Sequence, residues 1–170
     1  KSIVIYSSLT GNTKQVAEAI TSVLPAGTPC VSMKEVPSDL SSYDLVFAGF
    51  WVDKGTANKE ARDVLGTLHN PHIALFATAG VPPQMAHAKE SLINAANCLP
   101  DGVEPVGTFI CQGKVDPKVI EMMYKMFPKG HSHGQSADRD ARHKQAAVHP
   151  NEDDFKAAQD FAKDILTKLG

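Results

Sequence analysis

Short apolar runs alternate with helical patterns along the whole chain, and this alternation constrains the fold more than any other feature. The first run, Ile3-Val4-Ile5-Tyr6, is rich in β-branched residues and carries no polar interruption. A strand that shows no alternation of apolar and polar residues is buried on both faces, as in a parallel sheet. A helical pattern over 12–24 follows, with Val16, Ala17, Ile20, Val23 and Leu24 on one face and Pro25 and Gly27 at its end. Further strands are expected at 30–33, 44–50, 73–77 and 106–111. Helices are expected at 56–68, 82–98 and 151–169. Asn151 is placed to cap the last helix, and Glu152, Asp153 and Asp154 complement its dipole. Strands that alternate with helices imply βαβ crossovers, hence an α/β fold with helices on both faces of a parallel sheet. Ligands of such folds bind beyond the carboxyl ends of the strands. The loops after Tyr6, Phe50 and Ala77 are therefore the candidate site.

The chain has 170 residues, which fits a single domain over 1–170. An extra segment at about 116–150 breaks the alternation, with a short helix around Val119–Phe127, a Gly/His/Ser loop and a second short helix at 138–148. Lys and Arg number 17 against 19 Asp and Glu, for a formal charge of −2. No basic excess supports a nucleic-acid partner. No apolar run is long enough to cross a membrane. Cys30, Cys98 and Cys111 are widely spaced and form no C-x-x-C pair, so they are expected as reduced core thiols in a cytoplasmic protein. No signal peptide is visible.

The loop Ser7-Ser8-Leu9-Thr10-Gly11-Asn12-Thr13 carries hydroxyls at Ser7, Ser8, Thr10 and Thr13, an amide at Asn12 and a glycine at Gly11. A phosphate needs converging N–H and O–H donors, and a helix start adds backbone N–H groups with a favourable dipole. A simple helix cap needs one or two such residues, not this many. The loop itself lacks Lys and Arg, so it neutralises an anion by hydrogen bonds. There is no G-x-x-x-x-G-K-[ST] and no G-x-G-x-x-G after a strand, which excludes the nucleoside-triphosphate loop and the usual dinucleotide fingerprint. No paired aspartates follow the first strand, and no Cys precedes an Arg at phosphatase spacing.

From Val4 to Ala17 the sequence resembles the flavodoxin signature: two aliphatics and an aromatic, then a hydroxyl residue, a small residue, a Thr and an Ala. The resemblance extends over the chain in element order, with the first loop and the next two matching in detail. It implies a flavodoxin-like doubly wound five-stranded parallel sheet of order 2-1-3-4-5 that binds flavin mononucleotide (FMN) without a covalent bond. By this resemblance Ser7, Ser8, Leu9, Thr10, Gly11, Asn12 and Thr13 form the phosphate loop. Phe50, Trp51, Val52, Asp53, Lys54 and Gly55 flank the ring, with a Gly-containing turn able to reorient a peptide beside it. Thr78, Ala79 and Gly80 meet its pyrimidine edge. Trp51 is the only Trp and is expected to stack on the ring. The third loop, 78–83, lacks the second aromatic that many flavodoxins place there. Lys54 departs from the acidic loops of flavodoxins, and the small net charge departs from their strongly acidic surfaces.

His131, His133, His143 and His149 do not amount to a metal site, because H-x-H in a Gly/Ser loop sets no ligand geometry. Lys125, Lys129, His131, His133, Arg139, Arg142, His143 and Lys144 make the segment locally cationic, and it is expected to form a cover or docking surface near the flavin. No catalytic nucleophile arrangement is apparent. The function expected is FMN-dependent electron transfer, delivering electrons to a reductase or oxidoreductase partner protein. The alternative is a stand-alone flavin oxidoreductase dependent on quinone, tetrapyrrole or NAD(P)H. A non-redox ligand-binding module is the third reading. Small flavodoxin-like proteins of anaerobic bacteria, some thought to assist reductases, resemble this chain in the Gly49–Gly55 run and the His-Pro junction.

Overall fold

The computed structural model describes residues 1–114, 121–122, 125, 141 and 144–170. Five strands form one parallel sheet: β1 (Ser2–Tyr6), β2 (Cys30–Ser32), β3 (Leu45–Asp53), β5 (His72–Ala79) and β6 (Gly107–Gln112). Their order is β2-β1-β3-β5-β6. A two-residue strand, β4 (Thr56–Ala57), pairs antiparallel with the end of β3. With β4 set aside, the path is the expected 2-1-3-4-5. The helices are α1 (Asn12–Thr21), α2 (Lys59–Leu65), α3 (Ala86–Ala96) and α4 (Glu152–Leu169).

The apolar runs divide between two cores with the period-2 rule of a strand. Ile3, Ile5, Val46, Ala48, Phe50, Ile73 and Leu75 join Ala61 and Leu65 of α2 and Ala95 of α3 on one face. Val4, Leu45, Phe47, Ala74 and Phe76 meet Val16, Ala17 and Ile20 of α1 and Ala158, Ala162 and Ile165 of α4 on the other. This is why the strands read as unbroken apolar runs. Each fully buried Val, Ile, Leu or Phe adds about 1.5–3 kcal/mol to stability, so strands buried on both faces anchor the loops beyond them. Gly49 of β3 exists for close approach: a Cβ there would lie 2.1 Å from Cε2 of the Phe76 ring.

Several boundaries differ from the sequence expectation. β3 runs three residues beyond Phe50, because pairing with β4 (Val52↔Ala57, Asp53↔Thr56) keeps the chain extended. Thr56 and Ala57 are therefore strand, and the helix expected from residue 56 begins at Lys59. Thr78 and Ala79 are the end of β5, paired with Cys111 and Gln112. Met33 opens a 3-10 turn instead of ending β2. α1 stops at Thr21, and α3 begins at Ala86. Asn151 caps α4 as expected: its side chain accepts from the Asp154 N–H (3.2 Å), and Asp154 accepts from the Asn151 N–H (2.9 Å). Of the three cysteines only Cys111 is buried. Cys30 and Cys98 are half-buried, and all three are free. The two short helices expected in 116–150, and most of the cationic cluster, lie outside the described residues. No helix among the described residues is long and apolar enough to cross a membrane.

Candidate functional site

The carboxyl ends of β1, β3, β5 and β6 lie at one edge of the sheet, where they surround a cleft of about 250 Å³. Ser8, Leu9, Thr10, Asn12 and Thr13 form one wall. Gly11 precedes α1 at φ 97°, a left-handed conformation that turns the chain from strand to helix. The Ser8 hydroxyl oxygen accepts from the Gly11 N–H at 3.1 Å and the Lys14 N–H at 3.4 Å. Among the described residues, the N–H groups of Leu9, Thr10, Asn12 and Thr13 have no protein acceptor. Those of Asn12 and Thr13 are donors that a helix start leaves unpaired, and those of Leu9 and Thr10 lie in the loop that leads into it. Asn12 donates from Nδ2 to the Lys114 carbonyl at 2.7 Å. Thr13 and Thr78 share a buried hydroxyl–hydroxyl hydrogen bond of 3.0 Å, which ties the first loop to β5.

The second wall is Trp51, Val52, Asp53 and Lys54. These residues are not a free loop. Lys54 at φ 52° and Gly55 at φ 80° form the two-residue turn between β3 and β4. Two positive φ angles are those of a type I′ hairpin turn, whose twist matches its strands. Lys54 is the only non-glycine among the described residues at positive φ. Asn58 fastens the base of the hairpin. Its N–H donates to the Trp51 carbonyl at 3.1 Å, and its Oδ1 accepts from the Trp51 N–H at 3.3 Å. Its Nδ2 donates to the Ser7 hydroxyl at 2.7 Å, and Ser7 in turn donates to Glu60 Oε1 at 2.6 Å.

Thr78, Ala79 and Gly80 close the cleft from β5, and Gly113 and Lys114 from beyond β6. Gly113 donates its N–H to the Ala79 carbonyl at 2.7 Å. Gly113 and Lys114 are additions to the expected site. The rule that ligands sit beyond the carboxyl ends of the strands points to the segment after β6 as much as to the other three, and is the signal that finds them.

Four expected site residues lie behind the lining. Ser7 is buried, its hydroxyl engaged with Asn58 and Glu60. Phe50 is wholly enclosed in the core, because alternation along β3 turns it away from the cleft that Trp51 lines. Gly11 and Gly55 shape the backbone beneath the lining. Lys54 and Lys114 are the basic residues of the lining and Asp53 its acidic one. Close to the β6 end, burial and, secondarily, Asp154 push the Cys111 thiol up to about 12, so it stays protonated. Burial likewise raises the Cys30 thiol. No group of three or more metal-ligating side chains occurs among the described residues.

The family model described as a flavodoxin domain matches residues 3–163. The chain belongs to this family. The flavodoxin-like domain-containing protein BilS of Clostridioides difficile is 35% identical, over 99% of this chain and 97% of its own length. BilS of Clostridium symbiosum is 34% identical, over 95% and 93%. An archaeal flavodoxin structure superposes with a TM-score of 0.52 at 14% identity, over 99% of this chain and 97% of that one. A Lactobacillus acidophilus flavoprotein in complex with FMN gives 0.51 at 19% identity, over 65% of this chain and 93% of that one.

Membership in the flavodoxin family makes FMN the cofactor. The residues present fit it. One wall offers unpaired N–H groups and the Ser8 and Thr10 hydroxyls, donors of the kind a phosphate needs, and the other offers the half-buried indole of Trp51, a surface of the kind a planar ring needs.

Proposed function

We propose that this flavodoxin-family protein is an FMN-dependent electron carrier that delivers electrons to a reductase or oxidoreductase partner protein. The observation that carries the reading is the pairing of the donor-rich loop at the start of α1 with Trp51 across one cleft. The phosphate is held by the N–H groups of Leu9, Thr10, Asn12 and Thr13 and by the hydroxyls of Ser8 and Thr10. Trp51 stacks on the ring, and backbone N–H groups of Ala79 and Gly80 bond its pyrimidine edge. FMN bound there supplies reversible redox chemistry, and the protein sets its potential and its access.

The cleft is smaller than the ~300–1,000 Å³ of enclosed small-molecule sites. In this reading one edge of the ring stays accessible, as outer-sphere transfer to a docking partner requires. Lys54 acts on the ring electrostatically: a cation at the cleft wall favours whichever oxidation state carries more negative charge. A single domain over 1–170 with an added segment between β6 and α4 completes this reading.

The experiment is the visible spectrum of the purified protein after loading with FMN and gel filtration. Flavin bands that co-elute and bleach with dithionite support the proposal, and a colourless protein sinks it. One observation favours a second reading, a stand-alone flavin oxidoreductase. Trp51 is the sole aromatic lining the cleft among the described residues, and a ring stacked on one face alone would admit a planar substrate at the other. Sustained oxidation of NAD(P)H, or sustained reduction of a quinone, by the purified protein alone would select that reading.

A further inference from the structure

The tip of the β3–β4 hairpin violates a local rule. Lys54 adopts φ 52°, where Lys, having a Cβ, is less at ease than glycine or asparagine. The sequence that best fits a two-residue turn of this type is Asn-Gly, whereas this chain has Lys-Gly. Such an outlier persists only when its surroundings hold it, and outliers gather at binding sites. Lys54 lines the cleft.

A long-range contact supplies the hold. Asn94, on the exposed side of α3, donates from Nδ2 to the Gly55 carbonyl at 2.7 Å. On the same side of the turn, His87 of α3 stands against Gly55: a Cβ on that glycine would lie 3.7 Å from the imidazole Cε1. The base of the hairpin is separately fixed by Asn58. Among the described residues, the side-chain hydrogen bond to the tip therefore comes from α3.

We propose that Asn94 is a positioning residue for the cleft: by gripping the Gly55 carbonyl it keeps the Lys54–Gly55 turn left-handed and holds Lys54 on the cleft wall. This rests on the reading that the cleft takes FMN. Asn94 itself does not line the cleft, so its influence passes through the turn.

The test uses the full chain with Asn94→Ala, Asn94→Asp and Asn94→Gln. Asp has the shape of Asn but no N–H to donate, whereas Gln retains a donor. Amide hydrogen exchange at residues 53–57, measured without flavin, reports the grip itself. Fluorescence titration with FMN reports its consequence. Loss of one exposed hydrogen bond is expected to weaken FMN binding about fivefold in the Ala and Asp variants. Exchange at 53–57 should quicken in both, with exchange in β1 and β5 unchanged. Gln should restore most of the wild-type behaviour.

A second arm separates positioning from general structure. In a Lys54→Asn background the turn has the Asn-Gly pair it favours, so Asn94→Ala should change FMN affinity by less than about twofold. The proposal is overturned if exchange at 53–57 is the same in wild type and Asn94→Ala, if the Asn94→Asp variant behaves as wild type does, or if the loss of affinity is as large in the Lys54→Asn background as in the wild-type one. Should the wild-type protein take up no FMN, the exchange arm still decides whether Asn94 grips the turn, and the functional reading alone fails.

Discussion

The two walls of the cleft are built on opposite plans. The first loop is local. Its donors are its own backbone N–H groups and hydroxyls, and its turn is made by its own Gly11. The β3–β4 hairpin is non-local. Trp51 is held by Asn58 and, through it, by Ser7 and Glu60, while the turn is held by Asn94. A ligand loop at a helix start needs only the peptide groups that a helix leaves unpaired. A hairpin that projects beyond the sheet has no such supply and borrows side chains from other elements.

The largest expected effect tests the joint between the two walls. Gly49 accepts the Ser7 N–H at 2.9 Å, and its missing Cβ is filled by Phe76. Phe76 is fully buried, so its ring has nowhere to retreat. Gly49→Ala should cost about 3 kcal/mol in urea unfolding. An unchanged midpoint would show that the two strands are not locked at this point.

Ser7 and Thr10 belong to one loop, yet they serve different plans. Ser7→Ala strips Glu60 of a donor and leaves Asn58 Nδ2 buried without its acceptor, which should cost about 2 kcal/mol of stability. Thr10→Ala removes an exposed hydroxyl and should leave unfolding unchanged while weakening FMN binding by about 1 kcal/mol. If Ser7→Ala proved harmless to stability and Thr10→Ala did not, the division would be wrong. Trp51→Ala should weaken FMN binding by about 1 kcal/mol or more, read by titration, because a stacked ring loses its partner. Affinity equal to wild type would remove Trp51 from the ring wall.

β6 stands outside both plans and offers a smaller, pH-dependent control. The Cys111 thiol ionises near 9.0 when exposed and is pushed up to about 12 by burial and, secondarily, by Asp154. Its folded-state value is raised, so its contribution is complete below pH 9.0 and fades as pH rises toward 12. Between pH 8 and 10 the wild type should therefore lose about 1 kcal/mol more than Cys111→Ala in urea unfolding. Equal losses would mean that Cys111 is not sequestered.

The local plan is the legible one. The hydroxyl and amide run at 7–13 and the signature around it point to the cleft wall that Ser8, Thr10 and Asn12 provide. In the sequence the hairpin reads as a loop that runs into a helix at residue 56, since Thr56-Ala57 is too short for a strand period to register. Phe50 and Trp51 are neighbours in the chain, which invites placing both beside the ring. Because β3 continues through them, adjacency puts them on opposite faces. Lys114 lies just beyond β6, where the carboxyl-end rule points, but no pattern in the sequence shows that Asn12 reaches across to its carbonyl.

Sequence alone determined the apolar strands, the order of elements, the capped last helix and the donor-rich turn before α1. These follow from periodicity, capping and backbone groups, which act over a few residues. Tertiary structure decided which aromatic faces the cleft, how far β3 and β5 extend, that Ser7 serves the scaffold, and that Lys54 sits in a strained turn. Those outcomes rest on pairings between residues distant in the chain, such as Asn94 with Gly55 and Asn58 with Ser7, and no local pattern encodes a contact that only folding creates.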